Sequence, residues 1–120
     1  MVSACDRPSD LQRAQEGAMV AAEVYYGYLL HGDYEQFLAG RRGMDSIPES
    51  FREQLLTTYR QFMAQQKQFR GGIVSIEASR AVADSTLNRM QVFLLLNYHD
   101  GTTEEVVVPM VLNGDQWLMR

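Results

Sequence analysis

The sequence predicts an α+β domain with three N-terminal helices packed on a four-stranded antiparallel sheet. Up to residue 69, apolar residues recur at three- and four-residue steps, which is the period of a helix face. From residue 73 onward they alternate with polar residues or form short continuous runs, which is typical of strands. Turn dipeptides between the later runs indicate hairpins, and strands joined by hairpins pair antiparallel.

The first helix is predicted to follow Asp10, a candidate N-cap whose carboxylate would accept a backbone N–H. Val20, Val24 and Tyr26 lie away from its main apolar stripe, so the second half of this helix is apolar over most of its circumference. Such a helix should be covered on two sides, by the sheet and a second helix or by another subunit. The main stripe consists of Leu11, Ala14, Ala18, Ala22, Tyr25 and Leu29.

Two further helices are predicted between residues 33 and 72. Asp33 can cap a short helix over 34–39, which a glycine-rich loop then ends. Ser46, with Pro48 and Glu49 after it, has the pattern of a capped helix start, and Gly71-Gly72 ends that third helix. Its predicted inner face is Phe51, Leu55, Tyr59, Phe62, Met63 and Phe69.

The first two strands differ in their apolar pattern. Val74, Ile76 and Ala78 alternate with polar residues, which predicts a strand with one buried face. After a turn at 83–85, the run 90–98 is apolar on both faces, which indicates a central strand covered on each side.

Two hairpins complete the sheet. Asp100-Gly101 and Asn113-Gly114 are turn dipeptides, because their glycines accept the positive φ that tight hairpins require. The strand between them contains Pro109, which cannot donate to a ladder and therefore marks a bulge or an edge stretch. Residues 116–120 supply the last strand.

Length and charge limit the functional classes. With 120 residues the chain has the size of one domain, which we place at 11–120 after a tether at 1–10. The net charge is −4, and the basic residues are scattered except for Arg41-Arg42. Nucleic acid binding depends on clustered cations that neutralise phosphates, so a nucleic acid partner is not expected. The longest apolar run is too short to cross a bilayer, which requires about 20 apolar residues.

The single cysteine, Cys5, follows Val2-Ser3-Ala4 and precedes a polar stretch. This pattern resembles the processing site of bacterial lipoproteins, in which the peptidase requires small residues before a cysteine that is then lipidated. No basic start or long apolar segment precedes Val2, so this interpretation requires that the signal segment is absent from the chain. It predicts a cell-envelope protein, periplasmic or anchored to the outer membrane, with membrane contact only through the lipid on Cys5. The alternative is an ordinary N-terminus with an incidental cysteine.

Two segments carry a family resemblance. Ala21 to Leu38 contains the passage Tyr-Tyr-Gly-Tyr-Leu-Leu-His-Gly-Asp-Tyr, and Asn97 to Leu118 contains an Asp-Gly-Thr turn and an Asn-Gly-Asp-Gln-Trp turn. Helices followed by such strands resemble the cone-shaped nuclear transport factor two-like (cystatin-like) superfamily, and within it small bacterial lipoproteins. The resemblance implies a curved sheet wrapped around helices, leaving a tapered cavity that different members use for steroids, small metabolites or partner proteins.

The resemblance also implies where enzymes of this superfamily have their catalytic residues: an Asp or an Asp-His pair lies within the cone. Here Asp33 is better used as a cap, and Asp84, Asp100 and Asp115 fall in turns. The two histidines, His31 and His99, sit at predicted element ends without ligand partners at metal-binding spacing. We therefore expect no metal and no cofactor, and favour a protein that is not an enzyme.

Aromatic residues are the candidate lining of the cavity. They join a rigid apolar ring to a polar tip, which suits an amphipathic molecule, although aromatic residues at helical spacing are also typical of a core. We predict a non-catalytic protein that binds a small apolar or amphipathic ligand, or a protein partner. The alternatives are an enzyme of the isomerase or dehydratase kind and a homodimeric scaffold. The candidate lining residues are Tyr25, Tyr28, Tyr59, Phe62, Tyr98 and Trp117.

Overall fold

A computed structural model describes residues 9–120 and confirms the α+β class. Within residues 9–120, three helices precede a four-stranded antiparallel sheet of order β1-β2-β3-β4, which stays open rather than closing into a barrel. In the part of the chain described, no helix is both long and apolar enough to cross a membrane. The elements are α1 (Asp10–Leu30), α2 (Tyr34–Ala39), a 3₁₀ turn (Met44–Ser46), α3 (Glu49–Arg70), β1 (Ile73–Asp84), β2 (Thr86–Tyr98), β3 (Thr103–Asn113) and β4 (Gln116–Met119).

The start of α1 differs from the prediction by one residue. Ser9 is the N-cap: its hydroxyl accepts from the Gln12 backbone N–H at 3.0 Å, and the Gln12 side chain accepts from the Ser9 N–H at 2.9 Å. Asp10 is therefore the first helical residue, where its charge still interacts favourably with the helix dipole. The capping box was missed because Gln12 completes it, and glutamine is a less obvious signal than glutamate.

One side of α1 packs as predicted and another does not. Ala18, Ala22, Tyr25 and Leu29 are buried against the sheet. The Tyr26 ring packs edge-on against Phe37 of α2, with ring centroids 5.3 Å apart. Val20 is 60% exposed, so the expectation that a second layer covers this part of the helix is wrong within one chain.

The predicted N-cap is found at the start of α2 but not at the start of α3. Asp33 caps α2 as predicted, since its carboxylate accepts from the Gln36 backbone N–H at 3.3 Å. Ser46 does not cap α3, because it lies in the 3₁₀ turn and Pro48 occupies the N-cap position without a side-chain bond. The helix begins at Glu49, whereas a cap at Ser46 would place its first residue at Ile47.

The buried face of α3 is narrower than the predicted stripe. This helix packs on α1, α2 and β1, and Leu56 is its buried residue, with Tyr59 and Phe62 half-buried beside it. Phe69, near its C-terminal end, is 74% exposed, and Phe51 is also exposed, so both fall outside the contact that the periodicity predicted.

A bulge at the start of β1 reverses the expected orientation of Val74. Ile73 pairs with Tyr98 and the next pair is Ser75 with Asn97, so Val74 is an extra residue on its strand. Ile73 is therefore buried and Val74 is 55% exposed, contrary to the predicted alternation.

The central strand β2 is covered on one face only. Its inner face is completely buried, with Met90, Val92 and Leu94 at 0% exposure. On the other face Phe93 and Leu95 remain half-exposed, so the predicted cover on each side is wrong within one chain. We call the second face the outer sheet face; by strand register its apolar residues are Val82, Phe93, Leu95, Val107, Pro109, Val111 and Leu118.

Pro109 lies in the interior strand β3, where no bulge occurs and where the pairing with β4 ends. It pairs with Gln91 of β2 without a register shift. Its carbonyl accepts from the Arg120 backbone N–H at 2.9 Å, so its ring nitrogen also faces the β4 side, just beyond the last β4 pair. No bond to β2 is lost, which explains why an interior strand tolerates proline.

Side chains of α1 bond to the free edge of β1. The Gln15 amide donates to the Ala81 carbonyl at 2.9 Å, and the Glu23 carboxylate accepts from the Ala78 backbone N–H at 2.8 Å. Both contacts lie near a second bulge between Ala78 and Arg80.

The opposite edge of the sheet is occupied by the loop that follows α2. The Met119 backbone N–H of β4 donates to the Gly40 carbonyl at 2.8 Å, and the Arg42 N–H donates to the Met119 carbonyl at 2.7 Å. Gly40 also packs directly on the Tyr25 ring, so this loop joins the sheet edge to the core.

Candidate binding grooves

An open groove of about 620 Å³ lies where the ends of α1 and α3 meet the start of β1. We call it the cationic groove. Gly32 (φ 81°) turns the chain out of α1, and Gly71 (φ 80°) ends α3 in the left-handed conformation. Both turns require glycine-like backbone freedom, and they bring the two helix ends to one rim. The groove is lined by Leu30, His31, Gly32, Tyr34, Arg60, Met63, Ala64, Lys67, Gly71, Gly72 and Ile73.

The cationic groove combines an apolar floor with basic side chains. Leu30, Met63 and Ile73 are buried or half-buried apolar residues on its wall. Arg60 and Lys67 are exposed on the same side of α3, and no Asp or Glu is among the lining residues. This arrangement can hold an apolar group against the floor and a negative group at the rim.

His31 has a defined ring orientation in this groove. Its Nδ1 lies 2.7 Å from the Gly27 carbonyl oxygen, which can only accept, so Nδ1 carries the proton of this bond. The other ring nitrogen, Nε2, is left to bond with water or a ligand.

A second groove of about 730 Å³ runs between α1 and the start of β4, and we call it the tryptophan groove. It is lined in part by Tyr25, Tyr28 and Trp117, with Val20 and Val24 along α1. Three of the six predicted lining residues therefore meet on one surface.

Tyr25 and Trp117 also have structural roles in the core. The Tyr25 hydroxyl donates to the Trp117 carbonyl at 2.6 Å, and burial raises the pKa of Tyr25. The indole packs so closely on α1 that a Cβ at Gly17 would lie 2.8 Å from its Nε1.

The other three predicted residues lie elsewhere. The Tyr59 hydroxyl accepts from the Arg41 guanidinium at 2.9 Å, and its ring packs edge-on to Phe37 with centroids 4.9 Å apart. Phe62 is half-buried and packs against two groups of buried residues, one that includes Tyr25 and Leu94 and one formed by Ile73, Leu96 and Tyr98. The structure does not bring the six predicted aromatic residues to one cavity. The contact of Tyr59 and Phe62 with a ligand stays a prediction.

The hydroxyl of the buried Tyr98 side chain reaches a partly exposed polar cluster with Glu104 and Arg70. Its hydroxyl donates to the Glu104 carboxylate at 2.7 Å, and the Arg70 guanidinium carbon lies 4.6 Å from its ring centroid. Burial, and then the bond to Glu104, raise the pKa of Tyr98 to about 12. The hydroxyl is therefore held in its neutral form.

Two of the aspartates in turns, Asp100 and Asp84, have local partners. Asp100 accepts from the backbone N–H and hydroxyl of Thr102 at 2.9 and 2.6 Å, and these bonds lower the pKa of Asp100. Asp84 accepts from the Gln91 amide at 3.1 Å. Within residues 9–120 no residue of polar or charged type is buried, and no cluster of three potential metal ligands occurs. Cys5 lies outside the described residues.

Sequence reasoning missed the cationic groove. Its signal was present in the third helix, where Arg60 and Lys67 are seven residues apart and therefore share a face two turns apart. The apolar residues from the other elements could not be assigned to it, because they come from three separate segments of the chain.

Over residues 9–120, the three helices and the open antiparallel sheet have a nuclear transport factor two-like α+β fold. The structure is similar to a crystal structure described as an NTF2-like transpeptidase from Campylobacter jejuni, with a TM-score of 0.64 and 12% sequence identity over 82% of this chain and 92% of that chain. No family model matches the sequence. No curated protein matches it either. At this identity the similarity shows the fold alone.

Proposed function

We propose that the protein is a non-catalytic binding protein whose cationic groove takes a small amphipathic molecule. The observation that carries this proposal is the groove itself, with an apolar floor, polar groups at the rim and a volume of about 620 Å³. Ligand sites combine a mostly apolar lining with a few polar groups in a volume of about 300 to 1,000 Å³.

The polar clusters described above support binding rather than catalysis. A catalytic acid or base needs a titratable group within reach of a substrate. The Tyr98 hydroxyl is bonded to Glu104, and Asp100 is bonded within its own turn. His31 lines the cationic groove, but no Asp or Glu is among the lining residues to form an acid–base pair with it. The alternative of an isomerase or dehydratase would gain support if turnover of a carbonyl substrate were abolished by Glu104→Gln.

Binding can be tested with a neutral apolar dye, N-phenyl-1-naphthylamine, whose fluorescence rises in apolar sites. We expect saturable binding that Met63→Gln weakens at least fivefold, because this change adds a polar group to the floor of the groove. The matched control is Val20→Gln in the tryptophan groove, which should leave the affinity unchanged. Absence of saturable binding, or an equal effect of both changes, would contradict the proposal.

We also propose that Cys5 carries a lipid that places the domain at the bacterial cell envelope. The support is the pattern Val2-Ser3-Ala4-Cys5, and α1 is capped only four residues later by Ser9. Four residues span at most about 14 Å, so the domain would lie close to the membrane surface. Mass spectrometry of protein from its native host should show a lipidated Cys5, and Cys5→Ser should release it from membranes. An unmodified thiol on a freely soluble product would contradict the anchor.

A second candidate function is a homodimeric scaffold, favoured by the outer sheet face. Val107 there is 49% exposed, and Phe93 and Leu95 beside it are half-exposed. The register places Glu77 and Glu105 on either side of Leu95. Arg80 lies beside Phe93, with its guanidinium carbon 3.6 Å from the ring centroid, and Arg89 lies at the opposite end of the same face. Two copies packed with opposite ends together would bring the glutamates of one copy near the arginines of the other, around Leu95 and Val107.

Sedimentation equilibrium tests the dimer. Val107→Glu should shift the association constant at least tenfold toward monomer, because it places a charge at the centre of the outer sheet face. The matched control, Val20→Glu, adds the same charge on α1 and should have no effect. A wild-type protein that stays monomeric at high micromolar concentration would exclude this interface.

A further inference from the structure

We propose that the cationic groove selects anionic amphipathic molecules, with one carboxylate head group on an unbranched apolar tail, over neutral molecules with the same tail. This inference rests on the proposed function and adds the charge of the ligand.

The local charge of the groove is opposite to that of the whole protein. The chain carries fifteen acidic and eleven basic residues, so an average surface site should be negative. The lining nevertheless includes Arg60 and Lys67 and no acid. This positively charged groove attracts an anion, whereas the net negative charge of the rest of the surface repels it.

The two helix ends in the groove oppose anion binding. Both α1 and α3 end here, and the C-terminal end of a helix carries partial negative charge on its last carbonyls. Without basic side chains this rim would repel an anion. Arg60 and Lys67 therefore determine whether the groove is electropositive, which makes their removal a sensitive test.

The spacing of the two cations indicates how the ligand lies. Seven residues of helix place them about 10 Å apart along α3, with Met63 and Ala64 between them. Arg60 also donates to the Thr57 hydroxyl at 3.2 Å, one turn before it, so its guanidinium lies at the end of the groove away from Lys67. A carboxylate can bond to one cation while its tail crosses Met63 toward Ile73.

The experiment compares decanoate with 1-decanol, which share a tail length and differ in charge. Isothermal titration calorimetry at pH 7 and low salt, below the aggregation concentration of each ligand, should show decanoate binding at least fivefold tighter. The double variant Arg60→Gln/Lys67→Gln should lose this preference and keep the decanol affinity. The matched control is Arg13→Gln/Arg42→Gln, which changes the net charge equally and should keep the preference.

Salt provides a second readout. The preference of the wild-type protein for decanoate should decline as ionic strength rises, because the two cations are exposed and their interaction with an anion is screened. The decanol affinity should change little over the same range.

The outcomes separate the two proposals. Equal affinities for decanoate and decanol in the wild-type protein would overturn the charge selection and leave the binding function in place. Binding of neither ligand, together with no dye binding, would overturn the binding function itself. A preference that survives in the Arg60/Lys67 double variant, or is lost equally in the Arg13/Arg42 control, would place the selection outside this groove and overturn the inference.

Discussion

Gly40→Ala provides a stringent test of the packing around Tyr25. A Cβ built at Gly40 would lie 2.4 Å from Cδ1 and 2.6 Å from Cε1 of the Tyr25 ring. The ring cannot easily move aside, because its hydroxyl is bonded to the Trp117 carbonyl at 2.6 Å. Gly40 has φ −78° and ψ −4°, a conformation that alanine adopts without strain. The substitution therefore tests the steric contact without adding backbone strain to the folded state.

The expected effect has two opposing parts. Replacing glycine by alanine at a compatible position stabilises a protein by about 0.4 to 1 kcal/mol, because the unfolded chain loses conformational freedom. Overpacking a close contact costs about 1 to 3 kcal/mol. We therefore expect Gly40→Ala to lower the free energy of unfolding by about 1 to 2 kcal/mol.

Gly27→Ala is the matched control. Gly27 lies within α1, and a Cβ there would meet no atom within 4 Å. Alanine is favoured over glycine inside a helix by about 0.5 to 1 kcal/mol, so this variant should be more stable than the wild-type protein. The same chemical change should thus have opposite signs at Gly40 and Gly27.

Urea unfolding followed by far-ultraviolet circular dichroism measures both variants, with the m-value as a check on two-state behaviour. Tyr25→Leu, which replaces the ring by a smaller side chain, should reduce the cost of Gly40→Ala in a double-mutant cycle. A Gly40→Ala protein at least as stable as wild type, with an unchanged m-value, would refute the proposed contact.

Three further predictions concern the cluster at Tyr98, the helix cap and α3. Because the folded pKa of Tyr98 lies above the unfolded value of 10, its contribution to stability is complete below pH 10 and is lost as pH rises toward 12. Tyr98→Phe, which removes the titrating hydroxyl and its bond to Glu104, should therefore flatten this part of a stability profile against pH. Ser9→Ala should cost about 1 kcal/mol, seen as a lower thermal midpoint, because it removes the bond to the Gln12 N–H. Phe62→Ala should cost about 1 to 3 kcal/mol in urea unfolding, below the 3 to 5 kcal/mol of a fully buried phenylalanine; a loss well under 1 kcal/mol would show that its core contacts contribute little.

The fold class could be predicted because period and turn signals are local. The change from helical to strand period near Gly72 and the turn at Asp100-Gly101 both correspond to observed element boundaries. The second turn lies one residue later than the predicted Asn113-Gly114. Asn113 still pairs with Gln116, so the two loop residues are Gly114 and Asp115.

What could not be predicted depends on contacts between distant segments. The orientation of Val74 changed because a bulge adds one residue to β1, and a period of two cannot indicate where a bulge falls. The exposure of Phe69 reflects how little of α3 meets the rest of the domain, which its own apolar pattern does not encode. The candidate site was missed for the same reason, since the cationic groove depends on how three segments meet.

The bonds from Gln15 and Glu23 to β1, and from the loop at Gly40 to β4, have a consequence for solubility. An exposed strand edge is a template on which another chain can add by backbone hydrogen bonding, and this is a common route to aggregation. In this domain donors and acceptors on both outer strands are already occupied by the same chain. Replacing Gln15 and Glu23 by alanine should therefore raise the aggregation rate of the folded protein, whereas its melting temperature should change little.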